Sequence, residues 1–474
     1  MKKLFLTLFV AFITLIFFIQ PATSEASPIL ERSIKNHLGE KNSSVSLRST
    51  KTGKLIYDHN GSVARQTASN MKLLTGAAVL QQLGEDYRFP TTLYIDGKVT
   101  NGTLAGNVYL QGSGDPTLQY NHLQKIAKQL AAQGIKKVAG QLYLDDTLFT
   151  DSQVPPGATR SEETYYYAAR SSALQMSPNN DFDTGTVNVT VTGTSSGKAP
   201  KVSIYPHASG QKVVNRAKTG SRTSISIYRQ YNTNQIIVSG TIAAGRSTKK
   251  LVTVHDPTLA TGHTFQAALK AAGVTFTTSN PVKKKAVSKA ALSIYVHESQ
   301  KLSAMFPVYM KLSNNGMADT FVRAIAAKNR GKGTLSTGAS DMKRALASIG
   351  MPTAKMTILD GSGLSSKNKV QSNQISSLLY NMQSEPTFDT FYKSLPVGGQ
   401  SNRLVGGTLK NRFTGIYKDR VAAKTGYISG VYALSGYVKT KAGNEFIFSI
   451  LTEHRNSSAI NGIDRVVKTI IDYY

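Results

Sequence analysis

The chain has 474 residues, with 56 lysines and arginines against 27 acidic residues and a formal net charge of +29. It contains no cysteine, which excludes disulfides and cysteine-ligated zinc sites, and its length predicts two or three domains with large apolar cores. The eight histidines form no His-Glu-x-x-His pair, so the sequence offers no familiar metal motif.

Residues 1–26 have the layout of a secretory signal peptide. Two lysines precede an apolar run from Leu4 to Ile19, and small residues follow, with cleavage expected near Ser27. The run is shorter than the roughly 20 residues of a membrane-spanning helix, and an uncleaved anchor is the alternative. We therefore expect an exported protein: extracellular, cell-wall-associated or periplasmic. Excess cations on an exported chain favour anionic cell-wall polymers as partners and no nucleic acid.

The next predicted elements are a helix, a hairpin and a second helix. Residues 27–38 carry apolar side chains at helical spacing, and 44–50 and 54–60 are predicted strands. They turn at Lys-Thr-Gly 51–53, where glycine suits a tight hairpin without any chemistry. An apolar stripe after Ser69 predicts a largely buried helix that ends at Gly84.

A strand-rich region follows, from about residue 90 to residue 290. Short strand-like runs surround one helical stretch at 122–134, and residues 180–250 alternate in Val, Ser and Thr. A second Lys-Thr-Gly, 218–220, lies there among polar residues predicted to form turns. Residues 280–291 are predicted to be a basic linker.

Helices return in the last third of the chain, and then three strands. The predicted helices are 302–313, 317–329 and 340–350, and the predicted strands are 421–428, 430–440 and 444–454. A final amphipathic helix is predicted to bury Ile460, Ile463, Val466, Val467, Ile470 and Ile471.

A Ser-x-x-Lys pattern is weak alone, and the chain matches it at Ser69, Ser195, Ser209, Ser247, Ser340 and Ser366. The chemistry needs the serine at the first turn of a buried helix, so that the lysine three residues on shares its face. Ser69 and Lys72 meet this condition. Ser340 also starts a predicted helix and is the main rival, although an N-cap explains it. The Gly-x-Ser-x-Gly match around Ser195 has no helix after it, so it is not a nucleophile elbow.

Two further motifs lie in suitable contexts. Lys424 of the third Lys-Thr-Gly falls inside a predicted central strand, where a lysine is costly unless it faces a site. We expect Gly426 to let a substrate backbone lie close. Ser313 and Asn315 precede a helix, and simple capping is the alternative explanation for them.

In chain order the three motifs are Ser-x-x-Lys, Ser-x-Asn and Lys-Thr-Gly, the pattern of penicillin-binding proteins and related β-lactamases. The chain resembles the class C low-molecular-mass penicillin-binding proteins, the D-alanyl-D-alanine carboxypeptidase/endopeptidase family. The stretches that carry this resemblance besides the motifs are 111–118, 172–180, 360–365 and 394–413.

The resemblance implies an α/β fold: a transpeptidase-type core, an antiparallel sheet flanked by helices, with a large strand-rich insertion that forms two extra domains. The expected boundaries are 27–89 and 291–474 for the core, 90–165 and 246–290 for inserted domain II, and 166–245 for inserted domain III.

The resemblance also implies the site and its partners. Ser69 is the expected nucleophile, with Lys72, Ser313, Asn315 and Lys424 catalytic and Thr425, Gly426 and Tyr427 binding substrate. The expected substrates are peptidoglycan peptides, with β-lactam antibiotics as covalent inhibitors and no metal or organic cofactor. Burial beside Lys424 is expected to lower the pKa of Lys72.

Two departures and two alternatives accompany this prediction. Tyr427 stands where relatives commonly have Thr or Ser, and Asp319 where Glu is common. A β-lactamase would share the motifs but deacylate fast. A non-catalytic wall-binding protein would use only the basic surface and the inserted domains.

Overall fold

The structure is a computed structural model that describes residues 23–454 and 457–474. The predicted signal segment lies outside the described residues except for its last four, which begin the first helix. Within the described residues no helix is long and apolar enough to cross a membrane.

The helices of the described residues are α1 Thr23–His37, α2 Met71–Leu83, α3 Tyr120–Ala132, α4 Pro257–Ala271, α5 Leu302–Lys311, α6 Asn315–Arg330, α7 Leu335–Ser348, α8 Ser372–Met382, α9 Phe388–Lys393 and α10 Ser458–Tyr473. The strands are β1 Ser43–Ser49, β2 Leu55–His59, β3 Ala64–Arg65, β4 Pro90–Ile95, β5 Lys98–Thr100, β6 Thr103–Ala105, β7 Val108–Gln111, β8 Lys137–Val138, β9 Leu142–Asp145, β10 Thr186–Thr192, β11 Lys201–Tyr205, β12 Lys212–Gly220, β13 Ser224–Arg229, β14 Gln235–Ala243, β15 Ser247–Thr253, β16 Thr275–Phe276, β17 Val282–Lys284, β18 Leu292–Glu298, β19 Val370–Gln371, β20 Val421–Ile428, β21 Val431–Lys439 and β22 Glu445–Glu453.

The core of the molecule is an antiparallel sheet in the order β2-β1-β22-β21-β20. Alternation along β20 sends Val421 and Ala423 toward α1 and α10, and Ala422 toward the cluster that contains α2, α5, α6, α7 and α8. Lys424 shares the parity of Ala422. The period of the strand therefore turns this lysine toward the α2 side of the sheet.

The insertion between α2 and α5 contains the other large sheets. One has the order β17-β9-β7-β4-β18, and it shares an apolar cluster with α3 and α4. A second cluster lies between the sheets β11-β10-β15 and β12-β14-β13, which we call the strand module. The predicted domain limits stay predictions. Strand pairing crosses two of these limits: β15 pairs with β10 across the limit after residue 245, and β18 pairs with β4 across the limit after residue 290.

Most predicted elements are confirmed, including the hairpin at Lys51-Thr52-Gly53, where Gly53 has φ +68° and donates its N–H to Ser49 O. The second Lys-Thr-Gly was placed wrongly. It ends β12 and pairs with β14. The prediction failed because the exposed polar side chains of this edge strand resemble those of a turn. The predicted linker 280–291 contains β17, which pairs with β9.

Two predictions about helices are also wrong. Ser340 was predicted to start a helix, but it lies exposed inside α7, whose N-cap is Thr334. The helix therefore begins earlier than the apolar pattern from residue 340 onward indicated. Ile460 is 36% exposed in the first turn of α10, off the stripe that buries the other five predicted residues.

Candidate active site

Ser69 lies in a short 3-10 turn, Ala68–Asn70, that runs directly into α2. Ala68 has φ +43°, a conformation that non-glycine residues rarely adopt, and this strained backbone presents Ser69 at the mouth of the helix. Asn70 anchors the turn by donating to Lys424 O at 2.8 Å. The nucleophile candidate is therefore tied to the strand that carries the third motif.

Lys72 is fully buried one helical turn beyond Ser69. Its Nζ donates to Ser69 Oγ at 3.1 Å, to Asn315 Oδ1 at 2.6 Å and to the carbonyl oxygen of Ser362 at 2.8 Å. Burial lowers the pKa of Lys72 to about 7, against the opposing effect of Asp319 and Asp360. Near neutral pH the amine is thus available as a base.

The repulsion between the two lysines lowers the pKa of Lys424. From the sequence we expected this repulsion to lower the pKa of Lys72 instead. Lys424 is fully buried, and its pKa is lowered well below the usual value by burial and then by the charge of Lys72. The predicted depression of the Lys72 pKa is confirmed, but its cause is burial. Two buried ammonium groups that repel each other favour a state in which one of them is neutral.

Ser313 and Asn315 are not the cap of α6. Asn314 is the N-cap, since its Oδ1 accepts from Met317 N at 2.9 Å. Ser313 has φ +58°, and its Oγ accepts from Lys424 Nζ at 2.9 Å. The capping explanation therefore applies to Asn314 alone. Ser313 contacts Lys424, and Asn315 contacts Lys72.

The glycine of the third motif packs closely against its surroundings. A Cβ at Gly426 would lie 2.9 Å from Thr67 O and 3.0 Å from Ala433 Cβ. Gly426 is buried, and glycine there lets β20 pack against the turn that holds Ser69. The expectation that Gly426 also lets a substrate backbone lie close stays a prediction.

Thr425 and Tyr427 face the open side of the site. Thr425 Oγ1 donates to Thr408 Oγ1 at 2.8 Å, and Tyr427 is 64% exposed. A cleft of about 960 Å³ is lined by Ser69, Ser313, Asn315, Thr408 and Tyr427 among others. Direct contacts thus join Lys72 to Ser69 and Asn315, and Lys424 to Ser313. Ser69, Ser313 and Asn315 line one cleft, and of the predicted binding residues Tyr427 lines it too.

Two buried carboxyl groups support the loop that touches Lys72. Asp319 accepts from the N–H groups of Gly361 and Ser362, and Asp360 accepts from those of Gly363 and Ser365. Burial raises the pKa of both carboxyls. The sequence marked Asp319 and the stretch 360–365, but it gave no sign that the loop offers a carbonyl to the lysine.

The insertion also reaches the site. Asn315 Nδ2 donates to Tyr167 O at 2.8 Å, and Glu162, Tyr166 and Tyr167 line the cleft. A backbone carbonyl gives no signal in a sequence, so this contact was missed.

The strand module holds this segment through Arg229, which is 3% exposed. Its Nη2 donates to Glu163 O at 3.1 Å and lies 3.4 Å from Glu163 Oε2, and its Nε donates to Thr253 Oγ1. Arg170 forms a second ion pair with Glu163 at 3.1 Å. A buried and largely satisfied network therefore connects the module to the wall of the cleft.

Comparison with known proteins decides the family. The model of the D-Ala-D-Ala carboxypeptidase 3 (S13) family matches residues 28–471. The chain belongs to this family. It is a serine-type peptidase of the D-alanyl-D-alanine carboxypeptidase class, as the motifs predicted.

Named relatives and a solved structure agree. A D-alanyl-D-alanine carboxypeptidase of an Actinomadura species is 36% identical over 433 residues, covering 90% of this chain and 80% of the relative. The carboxypeptidase DacB of Haemophilus influenzae is 26% identical over 403 residues, covering 83% of this chain and 81% of the relative. The crystal structure of penicillin binding protein 4 from H. influenzae superposes with a TM-score of 0.79 at 22% identity, covering 93% and 98% of the two chains. The predicted fold class, a transpeptidase-type core with extra domains, is confirmed.

Proposed function

We propose that the protein cleaves the D-Ala-D-Ala end of peptidoglycan stem peptides through an acyl-enzyme on Ser69. The observation that carries this proposal is the 3.1 Å contact between Lys72 Nζ and Ser69 Oγ, in a setting where burial lowers the lysine pKa to about 7. A serine hydroxyl needs such a base near neutral pH, and general-base help is typically worth about 10²–10⁴ in rate.

In the acylation step, Ser69 Oγ attacks the carbonyl carbon of the penultimate D-alanine and its proton passes to Lys72. The carbon–nitrogen bond of the tetrahedral intermediate then breaks as Ser313 gives its proton to the leaving amine. Ser313 recovers a proton from Lys72, which returns to its neutral form and can serve as the base again. The 2.9 Å contact of Ser313 Oγ with Lys424 Nζ supports this proton route. Water hydrolyses the resulting ester and restores Ser69.

The remaining roles concern charge. Lys424 and Thr425 bind the terminal carboxylate. The negative charge of this carboxylate favours the ammonium form of Lys424, which burial disfavours. The backbone N–H groups of Ser69 and Tyr427 stabilise the oxyanion, and losing one such donor elsewhere costs roughly 10²–10³ in rate. Asn315 holds Lys72 with its carbonyl oxygen and the substrate amide with the other end of its side chain, which Tyr167 O orients before substrate arrives.

The same site explains the expected partners. A β-lactam presents a strained amide to Ser69 and leaves a long-lived ester, so penicillins are covalent inhibitors. The enzyme acts outside the cytoplasm on the cell wall, where its net charge of +29 attracts anionic polymers. An open cleft of about 960 Å³ leaves room for cross-linked peptides, which supports endopeptidase action beside carboxypeptidase action.

The test is release of D-alanine from a synthetic stem peptide that ends in D-Ala-D-Ala, measured for the parent and for Ser69→Ala. We expect release by the parent and loss in the variant to the uncatalysed level. Rapid hydrolysis of benzylpenicillin without peptide turnover would contradict the proposal and point to a β-lactamase.

A further inference from the structure

Residues 184–255, most of them in the strand module, contain ten lysines and arginines and no aspartate or glutamate. Buried Arg229 pairs with Glu163 from outside this range, and half-buried Lys250 donates to Ile227 O. The other eight cations are exposed, and none has a carboxylate oxygen within ion-pair distance among the described residues. The module is therefore an uncompensated cationic surface.

Five of these cations lie at one end of the module, which we call the cationic tip: Lys198, Lys201, Lys218, Arg222 and Arg246. The strand register puts them there, because Lys201 pairs with Thr192, Thr192 with Ser247, and Lys218 with Thr241. The connecting loops are tied together by backbone hydrogen bonds, Gly193 N to Arg246 O at 2.9 Å and Thr219 N to Lys198 O at 2.8 Å. Five like charges are thus held together by a fixed backbone.

The opposite end of the module faces the active site. Leu251 of β15 lines the cleft, and Arg229 and Thr253 hold Glu163. Because β15 runs from Ser247 at the tip to Thr253, the two ends are about 20 Å apart at roughly 3.3 Å per residue. A ligand at the tip would leave the cleft free.

The residue types around the tip indicate which class of anionic ligand it binds. Apart from Pro200, the residues of 193–201, 218–224 and 243–247 that are not Lys or Arg are Gly, Ala, Ser and Thr. None of the residues in these three described ranges is aromatic, so they offer no stacking platform for bases, which disfavours single-stranded nucleic acid. Flexible cations beside hydroxyl groups and open glycine backbone are the contacts that phosphate oxygens typically receive.

We propose that the cationic tip docks the enzyme on a linear phosphodiester polymer that carries no bases. Lys and Arg side chains bind successive phosphates and release their counterions, so the attachment is strong at low salt and weak at high salt. The cleft at the far end of the module then meets the stem peptides. The biological setting rests on the proposed function at the cell wall, but the binding itself does not require that function.

The experiment measures the affinity of the full mature chain for fluorescently labelled long-chain inorganic polyphosphate over a range of salt concentrations. Three proteins are compared: the parent, a tip variant and a control variant with the same charge change on exposed lysines elsewhere. The tip variant carries Lys198→Gln, Lys201→Gln, Lys218→Gln, Arg222→Gln and Arg246→Gln. The control variant carries Lys51→Gln, Lys54→Gln, Lys270→Gln, Lys289→Gln and Lys439→Gln.

We expect the tip variant to bind at least about tenfold more weakly at low salt. Its log–log salt slope should fall by about 3.5, at roughly 0.7 for each of the five lost contacts. The control variant should change by less than about threefold. Equal losses in both variants would overturn the proposal in favour of diffuse net charge, and an unchanged tip variant would overturn it outright.

Two competitors test the chemistry, and circular dichroism with thermal melting verifies that each variant is folded. Polyglutamate that displaces polyphosphate at equal charge would overturn the phosphate assignment, and single-stranded DNA that binds more tightly than polyphosphate would overturn the base-free assignment. D-alanine release by the parent is measured separately. If the proposed function is wrong, the parent releases no D-alanine but still binds polyphosphate through the tip. If this inference is wrong, the parent releases D-alanine but the tip does not account for polyphosphate binding.

Discussion

Asn315 Oδ1 accepts a hydrogen bond of 2.6 Å from Lys72 Nζ, while the Nδ2 of the same side chain donates to Tyr167 O at 2.8 Å. The two contacts fix the amide so that its carbonyl faces the lysine. A neutral acceptor holds Lys72 in place without the full charge that would keep it protonated. The Lys72 pKa therefore depends on this residue being an amide.

Asn315→Asp should raise the Lys72 pKa, because a carboxylate within hydrogen-bond distance favours the ammonium form. We expect the rate of acylation by benzylpenicillin at pH 7 to fall by about tenfold for each unit of the pKa rise, and to recover partly as the pH increases. Stopped-flow rates between pH 5.5 and 10 measure this. Asn329→Asp, at the other end of α6, is the matched control, and equal profiles for both variants would refute the argument.

The parent enzyme should acylate faster as the pH rises through about 7. Burial lowers the Lys72 pKa from its usual value to about 7, so below this pH the amine is protonated and cannot accept the serine proton. Above it the free base predominates and the rate should level off. A rate that is flat between pH 6 and pH 8 would mean that Lys72 does not limit acylation in this way.

Asp319→Asn should move that rise to lower pH. The Asp319 charge raises the Lys72 pKa against burial, and asparagine removes this charge while it can still accept from the N–H groups of Gly361 and Ser362. We expect a shift of up to about one pH unit, measured by the same stopped-flow series. The exposed Asp389→Asn is the control. A shift to higher pH would contradict the sign worked out here.

Arg229 is a positioning residue for the cleft wall. Arg229→Met leaves buried Glu163 with one cation instead of two and removes one of the two donors to its carbonyl, which should lower the free energy of unfolding by about 3 kcal/mol. Benzylpenicillin acylation should also slow several-fold because the segment that contacts Asn315 loses its support. Thermal melting and acylation kinetics test both effects.

A purely structural role for Arg229 would lower the melting temperature and leave acylation of the folded fraction at the parent rate. The conservative variant Arg229→Lys keeps a cation near Glu163 and should restore part of the acylation rate. Arg216→Met, on the exposed face of β12, should change neither quantity.

The sequence predicted side chains that the structure brings together, because local context separates the motif copies. Ser69 precedes a buried helix, and the alternation of β20 turns Lys424 toward it. It also predicted that Ser313 and Asn315 matter, although the cap that they resembled is Asn314. The placement of Lys72 and Lys424 was predictable because helical and strand periods determine which side chains share a face.

What the sequence could not predict is mostly backbone and burial. The carbonyls of Ser362 and Tyr167 contact Lys72 and Asn315 from loops distant in sequence, and no side chain marks them. The packing role of Gly426 depends on how close β20 comes to Thr67. The Lys72 pKa depends on complete burial, which the motif does not specify.

The central claim is that Ser69, activated by Lys72, is the residue that becomes acylated. The most direct test is intact and peptide-level mass spectrometry over time after benzylpenicillin is added to the parent, Ser69→Ala, Lys72→Ala and Ser340→Ala. Ser340 is the matched control, since Ser340 and Lys343 repeat the spacing but Ser340 is exposed and Lys343 donates to Met356 O. We predict a long-lived adduct on the Ser69 peptide of the parent and of Ser340→Ala, none on Ser69→Ala and much slower formation on Lys72→Ala. An adduct on any other peptide, or acylation of Lys72→Ala at the parent rate, would contradict the account.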